Sequence, residues 1–189
     1  MQRISTVISE YRYKIMFSVL KLIEKDPLPP VIMCVGCNST SGDKLGPLVG
    51  ELLTHKYNIR TFVYGTVNRP LTAINVAPYY NFIKRNHTSK ILVVDAALGS
   101  EKDYGVINIY KGGIKPAAAM LKNLPCIGDY SLIANVSMFG TKNLTALAAA
   151  NMKSIAEMAE NIAFGIHDAI VLHKAFKMAS SINNIFKIK

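Results

Sequence analysis

Two aspartates stand where a catalytic acid pair would be expected. Val31–Val35 is a five-residue apolar run of strand character, stopped by Gly36 and followed by a polar loop, Cys37-Asn38-Ser39-Thr40-Ser41-Gly42, that leads to Asp43. Ile91-Leu92-Val93-Val94 is a second short apolar run, and Asp95 follows it directly. In open α/β sheets, ligands bind outside the carboxyl ends of the strands. If the two strands are parallel neighbours, both acids meet at one edge of the sheet. Two carboxylates that share a site cannot both ionise cheaply, so one keeps its proton while the other acts as a base. Such a pair, close enough to couple, can activate water on one side and protonate a leaving amine on the other, which is peptidase chemistry.

Each residue also has a structural role open to it. Asp43 can cap the helix that begins at Lys44 or Leu45, and Asp95 can accept bonds from loop amides. Asn38 is expected to order the loop through side-chain to backbone bonds, and Ser39 offers a hydroxyl toward a substrate. Ser39, Thr40 and Ser41 lack a nearby histidine to activate a nucleophile. The loop leads into a helix start, where phosphate can bind, but Asp43 would repel an anion and the G-x-x-x-x-G-K-[ST] pattern is absent. Cys34 and Cys37 have C-x-x-C spacing, yet a redox or zinc site needs a helix start at the first cysteine or a second ligand pair. Cys34 falls inside the strand run, which leaves Cys37 as the more reactive thiol.

The elements that must position these residues follow from periodicity. Arg3–Lys25 keeps Ile4, Val7, Ile8, Tyr11, Ile15, Val19, Leu22 and Ile23 at helical steps, and Asp26-Pro27-Leu28-Pro29-Pro30 ends it. After the first strand, Pro47 suits a first helical turn, and Leu45, Val49, Leu52 and Leu53 carry a helix to about Lys56. Ile59–Tyr64 reads as strand two. Pro70–Arg85 reads as a helix bent near Pro78, Lys90–Val94 as strand three and Gly105–Tyr110 as an edge strand four. Asn123–Asp129 reads as a loop and Tyr130–Val136 as strand five. An Ala-rich helix is expected from Gly140 to Ala150 and a long helix from Lys153 to Met178, with a frayed tail from Ser180. Alternating strands and helices imply a single α/β domain, a three-layer α/β/α sandwich around a mainly parallel five-stranded sheet. The expected organisation is an N-terminal helix and Pro-rich linker at 1–30 packed on the core, the single α/β/α domain at 31–179 and a tail at 180–189.

Composition narrows the class. The chain has 189 residues, half of them hydrophobic and 18% charged, which argues against disorder. No apolar run approaches the roughly 18 residues of a membrane span, and charged residues interrupt the N-terminal region, against a signal peptide. The expected setting is the cytoplasm. Three cysteines fit a reducing compartment. The net charge of +10 could attract nucleic acid or an acidic partner, but no nucleic-acid motif accompanies it and tryptophan is absent.

These residues resemble a known family. Gly42–Gly50 (G-D-K-L-G-P-L-V-G), Val63–Thr66 (V-Y-G-T), Val93–Gly99 (V-V-D-A-A-L-G) and the L-P-x-I-G-D run at Leu124–Asp129 resemble the sporulation protein YyaC family of spore-forming Firmicutes, over about residues 31–166. That family is similar to the spore germination protease and, more distantly, to the hydrogenase maturation endopeptidases. The resemblance implies a three-layer phosphorylase/hydrolase-like fold. From the germination protease it implies catalytic roles for Asp43 and Asp95; Asp129, in the matching L-P-x-I-G-D run, either lines the same cleft or forms a turn. The hydrogenase enzymes hold nickel at these two positions together with a histidine. Here His55, His87, His167 and His173 are the only histidines, none between residues 88 and 166. The Pro-Gly-Ala-Gly run usual after the fourth strand reads Pro116-Ala117-Ala118-Ala119, without its permissive glycines.

The reading taken forward is a peptidase of sporulating cells that acts on a protein or peptide substrate, with Asp43 and Asp95 catalytic, Asn38, Ser39 and Asp129 binding substrate, and no cofactor. Two alternatives are a catalytically silent binding or scaffold protein, and a metal-dependent endopeptidase with Asp43, Asp95 and Asp129 as oxygen ligands for a hard cation. The apolar faces of the two terminal helices leave two arrangements open, a homodimer contact or packing of both helices on the one domain.

Overall fold

The computed structural model describes residues 2–115, 126–138 and 150–186. Five strands form one sheet: β1 (Val31–Cys34), β2 (Val63–Tyr64), β3 (Ile91–Gly99), β4 (Ile107–Lys111) and β5 (Tyr130–Met138). Their order across the sheet is β2-β1-β3-β5-β4. β1 pairs in parallel with β2 and β3, and β3 pairs in parallel with β5. Only β4, at one edge, is antiparallel. The central strands are apolar on both faces, as expected where helices cover both sides. β1 is buried at every position, and so is β3 from Ile91 to Asp95.

The α-helices among the described residues are α1 (Gln2–Ile23), α2 (Leu45–Glu51, continued by a π-helical turn over Leu52–Lys56), α3 (Val76–Asn86) and α4 (Met152–Phe186). Alternation along the strands sorts the core into two halves. Ile32, Cys34, Leu92, Val94, Leu132 and Ala134 point to one face, where α1, α2 and α4 pack. Val31, Met33, Val35, Ile91 and Val93 point to the other, where α3 contributes Val76 and Ile83. The result is the expected α/β/α arrangement. Among the described residues no helix is long and apolar enough to cross a membrane.

Several boundaries differ from those expected. β2 is two residues long, because Asn58 takes a left-handed conformation (φ 45°) and the Ile59 amide donates to the Leu53 carbonyl, so that the chain first meets β1 at Phe62, whose carbonyl accepts the Ile32 amide at 2.9 Å. α3 starts at Val76, so Pro78 lies in its first turn and no bend is needed. β3 runs past Val94 to Gly99, which places Asp95 within the strand. The break expected at Ser180 is absent: the Ser180 and Ser181 hydroxyls donate to the Phe176 and Lys177 carbonyls, and the helix continues to Phe186. The helix expected over residues 140–150 and the Pro116–Ala119 run lie outside the described residues.

α1 packs along α4 and buries Ile15, Met16, Val19 and Ile23 within the same chain. Ile15, Val19 and Ile23 of its apolar face, which the sequence left open between packing on the same domain and a dimer contact, are thus part of the core. Below it, His173 of α4 is 1% exposed and bonds through Nε2 to the Asp26 carbonyl, while the Tyr130 hydroxyl donates to the Asp26 carboxylate at 2.7 Å. Asp26 therefore fastens the linker to both α4 and β5. Truncating the fully buried Ile23 to Ala should cost about 2–5 kcal/mol in urea unfolding. A loss below about 0.5 kcal/mol would show that α1 does not belong to the core.

Candidate active site

The carboxyl edge of the parallel strands carries the site. β1 ends against β3, with the Val35 amide donating to the Val94 carbonyl at 2.8 Å. The next amide, Gly36, donates to Leu71 of the β2–α3 loop. Gly36 has φ +147°, and a Cβ there would lie 2.1 Å from the Asp43 carbonyl oxygen. Only glycine lets the loop fold back so closely. The Cys37 amide then donates to that same carbonyl at 3.1 Å. Asp43 is thereby held against the end of β1, in a 3-10 turn (Gly42–Lys44) that leads into α2.

α2 is seated just as tightly. A Cβ on Gly46 would lie 1.9 Å from the Val35 carbonyl oxygen, so the first turn of α2 sits directly on the end of β1. The capping role open to Asp43 is not used: neither the 3-10 turn nor α2 has a side-chain cap. Asp43 is half-buried, and among the described residues its carboxylate accepts no hydrogen bond.

Asp95 sits on β3, the strand next to β1, and is 9% exposed. Its Oδ1 accepts the Ala96 amide at 2.8 Å. Burial, with the negative charge of Asp43 adding to it, outweighs that bond and raises its pKa to about 8. The rise follows from the cost of charge away from water. The two acids are therefore close enough to interact, and near neutral pH Asp95 is the one that keeps a proton.

The remaining predicted residues divide between two ends of the sheet. Asn38 is exposed and its Nδ2 donates to the Val67 carbonyl at 2.6 Å, which ties the Asp43 loop to the β2–α3 loop. Ser39 is also exposed, with its hydroxyl 2.7 Å from the Cys37 sulfur. Both belong to the Asp43 edge. Asp129 does not. Its carboxylate accepts the Ile91 amide at 2.9 Å and pairs with Lys90 at 3.3 Å, at the amino end of β3. Four residues of strand, about 13 Å, separate that level from Asp95. The reason is topological: Asp129 immediately precedes β5, and in a parallel sheet residues that precede strands lie at the amino edge. Asp129 helps fix the register of β3 and β5.

One residue at the carboxyl edge escaped the sequence reading. Asn135 is a buried amide on β5, opposite Ala97 and so two steps beyond Asp95. It packs against Gly99, where a Cβ would come 3.1 Å from its side-chain carbon. A lone amide within an apolar strand was the available signal. Cys34 is fully buried on the opposite face from Asp95, and burial pushes its thiol well above the usual range; Cys37 is half-buried. Among the described residues no three of His, Cys, Asp and Glu gather into a cluster fit for a metal ion. His55, His87 and His167 partner Glu51, Tyr64 and Asp168, and His173 is held by Asp26, all away from the aspartates. Two carboxylates without a histidine do not fit nickel, which favours nitrogen and sulfur donors.

The raised pKa has a consequence for stability. Unfolded, Asp95 ionises near its ordinary value of 3.8; folded, near 8. Between those values the unfolded chain releases a proton that the folded chain keeps. Its contribution to stability therefore falls as pH rises from about 4 to about 8, by at most about 1.4 kcal/mol per pH unit, and is level above. The Asp95→Asn variant should lose this slope, so its stability relative to wild type should grow with pH across that window in urea unfolding. Parallel profiles for the two proteins would contradict it.

Comparison with known proteins agrees with the resemblance seen in the motifs. A curated relative, "Uncharacterized protein YyaC" of Bacillus subtilis (strain 168), is 34% identical over 139 residues, 73% of this chain and 68% of the relative. Among solved structures, the [NiFe] hydrogenase maturation protease HycI from Thermococcus kodakarensis KOD1 superposes with a TM-score of 0.49 at 19% identity, over 79% of this chain and 98% of that one. The family described as "Protein of unknown function (DUF1256)" matches residues 4–165. That span takes in α1, which the motif resemblance alone had left outside. With this span and this relative, the chain belongs to the DUF1256 family.

Proposed function

We propose that the protein is a peptidase in which Asp43 and Asp95 act as a carboxylate–carboxylic acid pair on a protein substrate. The observation that carries this reading is the buried, proton-retaining Asp95 beside the more open Asp43 at the carboxyl edge of the sheet. Perturbed carboxyl groups of this kind mark functional sites. A buried acid that served only the fold would be expected to have its charge compensated, whereas Asp95 has one backbone amide and a second acid nearby.

In the proposed reaction Asp43 takes a proton from a water molecule whose oxygen attacks the scissile carbonyl carbon. Asp95 gives its proton to the carbonyl oxygen as the tetrahedral intermediate forms. Collapse of that intermediate breaks the C–N bond, and the proton held by Asp43 passes to the leaving nitrogen. The new carboxyl product returns a proton to Asp95, which restores the starting state. Asn38 fixes the loop that carries Asp43, and Ser39 lines its solvent side. The sporulating cell as the setting, and a spore protein as the substrate, rest on the motif resemblance.

The test is incubation of the pure protein with spore-protein extract, beside Asp43→Asn and Asp95→Asn variants, with cleavage followed by mass spectrometry. Wild type should cleave, and each variant should be slower by about 10²–10⁴-fold. The rate should fall as pH rises through about 8, where Asp95 loses its proton. Cleavage retained in both variants would clear the aspartates. No cleavage by wild type at any pH would favour a binding or scaffold protein built on the same fold.

A further inference from the structure

α4 is longer than its core role requires. Ile155, Ile162, Ile166 and Ile170 of its first half are buried under the sheet. Beyond them the apolar residues turn outward. Val171, Ala175, Met178 and Ile182 follow each other at steps of four, three and four residues, and the three larger ones are 50%, 68% and 53% exposed. That spacing is the seam by which one helix accepts another.

The seam is also one wall of a groove. Ile59 and Arg60, in the segment before β2, form the other wall, and the space between holds about 480 Å³. From Ile170 to Met178 the groove follows α4 for about 12 Å, at 1.5 Å per residue. A concave trough of this length suits a helix better than a flat surface.

The charged side chains that line the groove, Arg60 and Lys174, are both basic, while at its other end Tyr57 and His167 bond the carboxylates of Glu160 and Asp168. The Lys174 ammonium donates to the Arg60 carbonyl at 2.5 Å. Partial burial and the nearby Arg60 guanidinium both push it below its ordinary pKa. None of the described residues that line the groove is acidic. Asp168 is the last acid of the chain, which carries four lysines and no Asp or Glu from residue 169 onward. A second copy laid on this seam would bring Lys174 against its own counterpart, at a cost in like-charge repulsion.

We infer that the groove between the distal half of α4 and the Ile59–Arg60 segment docks an acidic amphipathic helix of a partner protein, with apolar residues on the α4 seam and carboxylates between Arg60 and Lys174. This surface is separate from the aspartate edge and stands whether or not that edge is a peptidase.

The test uses fluorescein-labelled peptides of about 16 residues, with leucine at steps of three and four and glutamate at the flanking positions. A control peptide carries lysine in place of glutamate. Fluorescence anisotropy with the full chain should show the glutamate peptide binding at least tenfold tighter than the lysine peptide. Met178→Asp and Lys174→Glu should each weaken it at least tenfold. Val171→Asp supplies a second seam variant, and unchanged thermal melts show that each variant is folded. Equal binding of the two peptides, or binding of neither, overturns the inference. So does co-sedimentation with phosphatidylserine vesicles that Met178→Asp abolishes, in the absence of peptide binding. Self-association abolished by Met178→Asp, again without peptide binding, would assign the seam to a second copy instead.

Discussion

Keeping Asp95 inside β3 is the constraint on which the candidate site depends. An ionised carboxylate in an apolar strand would cost several kcal/mol, and the chain does little to offset it. Among the described residues one amide bonds the group, and the charge that acts on it is that of another acid. The group responds by holding its proton to about pH 8. Proton retention is thus a product of position. The same aspartate at the end of a strand, in water, would have ordinary acidity.

Position in turn depends on how closely three segments are drawn together. Gly36 and Gly46 let backbone carbonyls approach to distances no Cβ would permit. The Asp43 turn is pressed onto the end of β1 from above and α2 from the side. Asn38 and Leu71 join this loop to the β2–α3 loop. On the far face, α1 and α4 cover the strands and Asp26 pins the linker to both β5 and α4. The site edge is rigid because the sheet beneath it is buried on both sides.

Much of this was legible in the sequence for a physical reason. Val31–Val35 followed by glycine, polar residues and an acid is a strand feeding a loop, and parallel neighbours place such loops together. The motif resemblance pointed to the same two aspartates. The failures are equally instructive. Ile59 and the residues after it have strand composition, but the π-helical turn and the left-handed Asn58 delay contact with β1 until Phe62. Asp129 was joined to the aspartates by its motif alone, although it precedes a strand, whereas Asp43 follows β1 and Asp95 lies one residue beyond the level at which β1 ends. The apolar face of α1 gave no sign of whether it would meet α4 of its own chain or another. Pattern shows that a face is buried, and only tertiary structure shows by what.

The central claim is that burial and a neighbouring charge make Asp95 a carboxylic acid at neutral pH. The direct measurement is a titration of the Asp95 side-chain carbon by NMR in selectively labelled protein, in wild type and in Asp43→Asn. The wild-type midpoint should lie near 8. In the variant the midpoint should be lower yet still above the ordinary value of 3.8, because desolvation is the larger cause and the Asp43 charge the smaller. A wild-type midpoint near 4, or one that Asp43→Asn leaves unmoved, would contradict it.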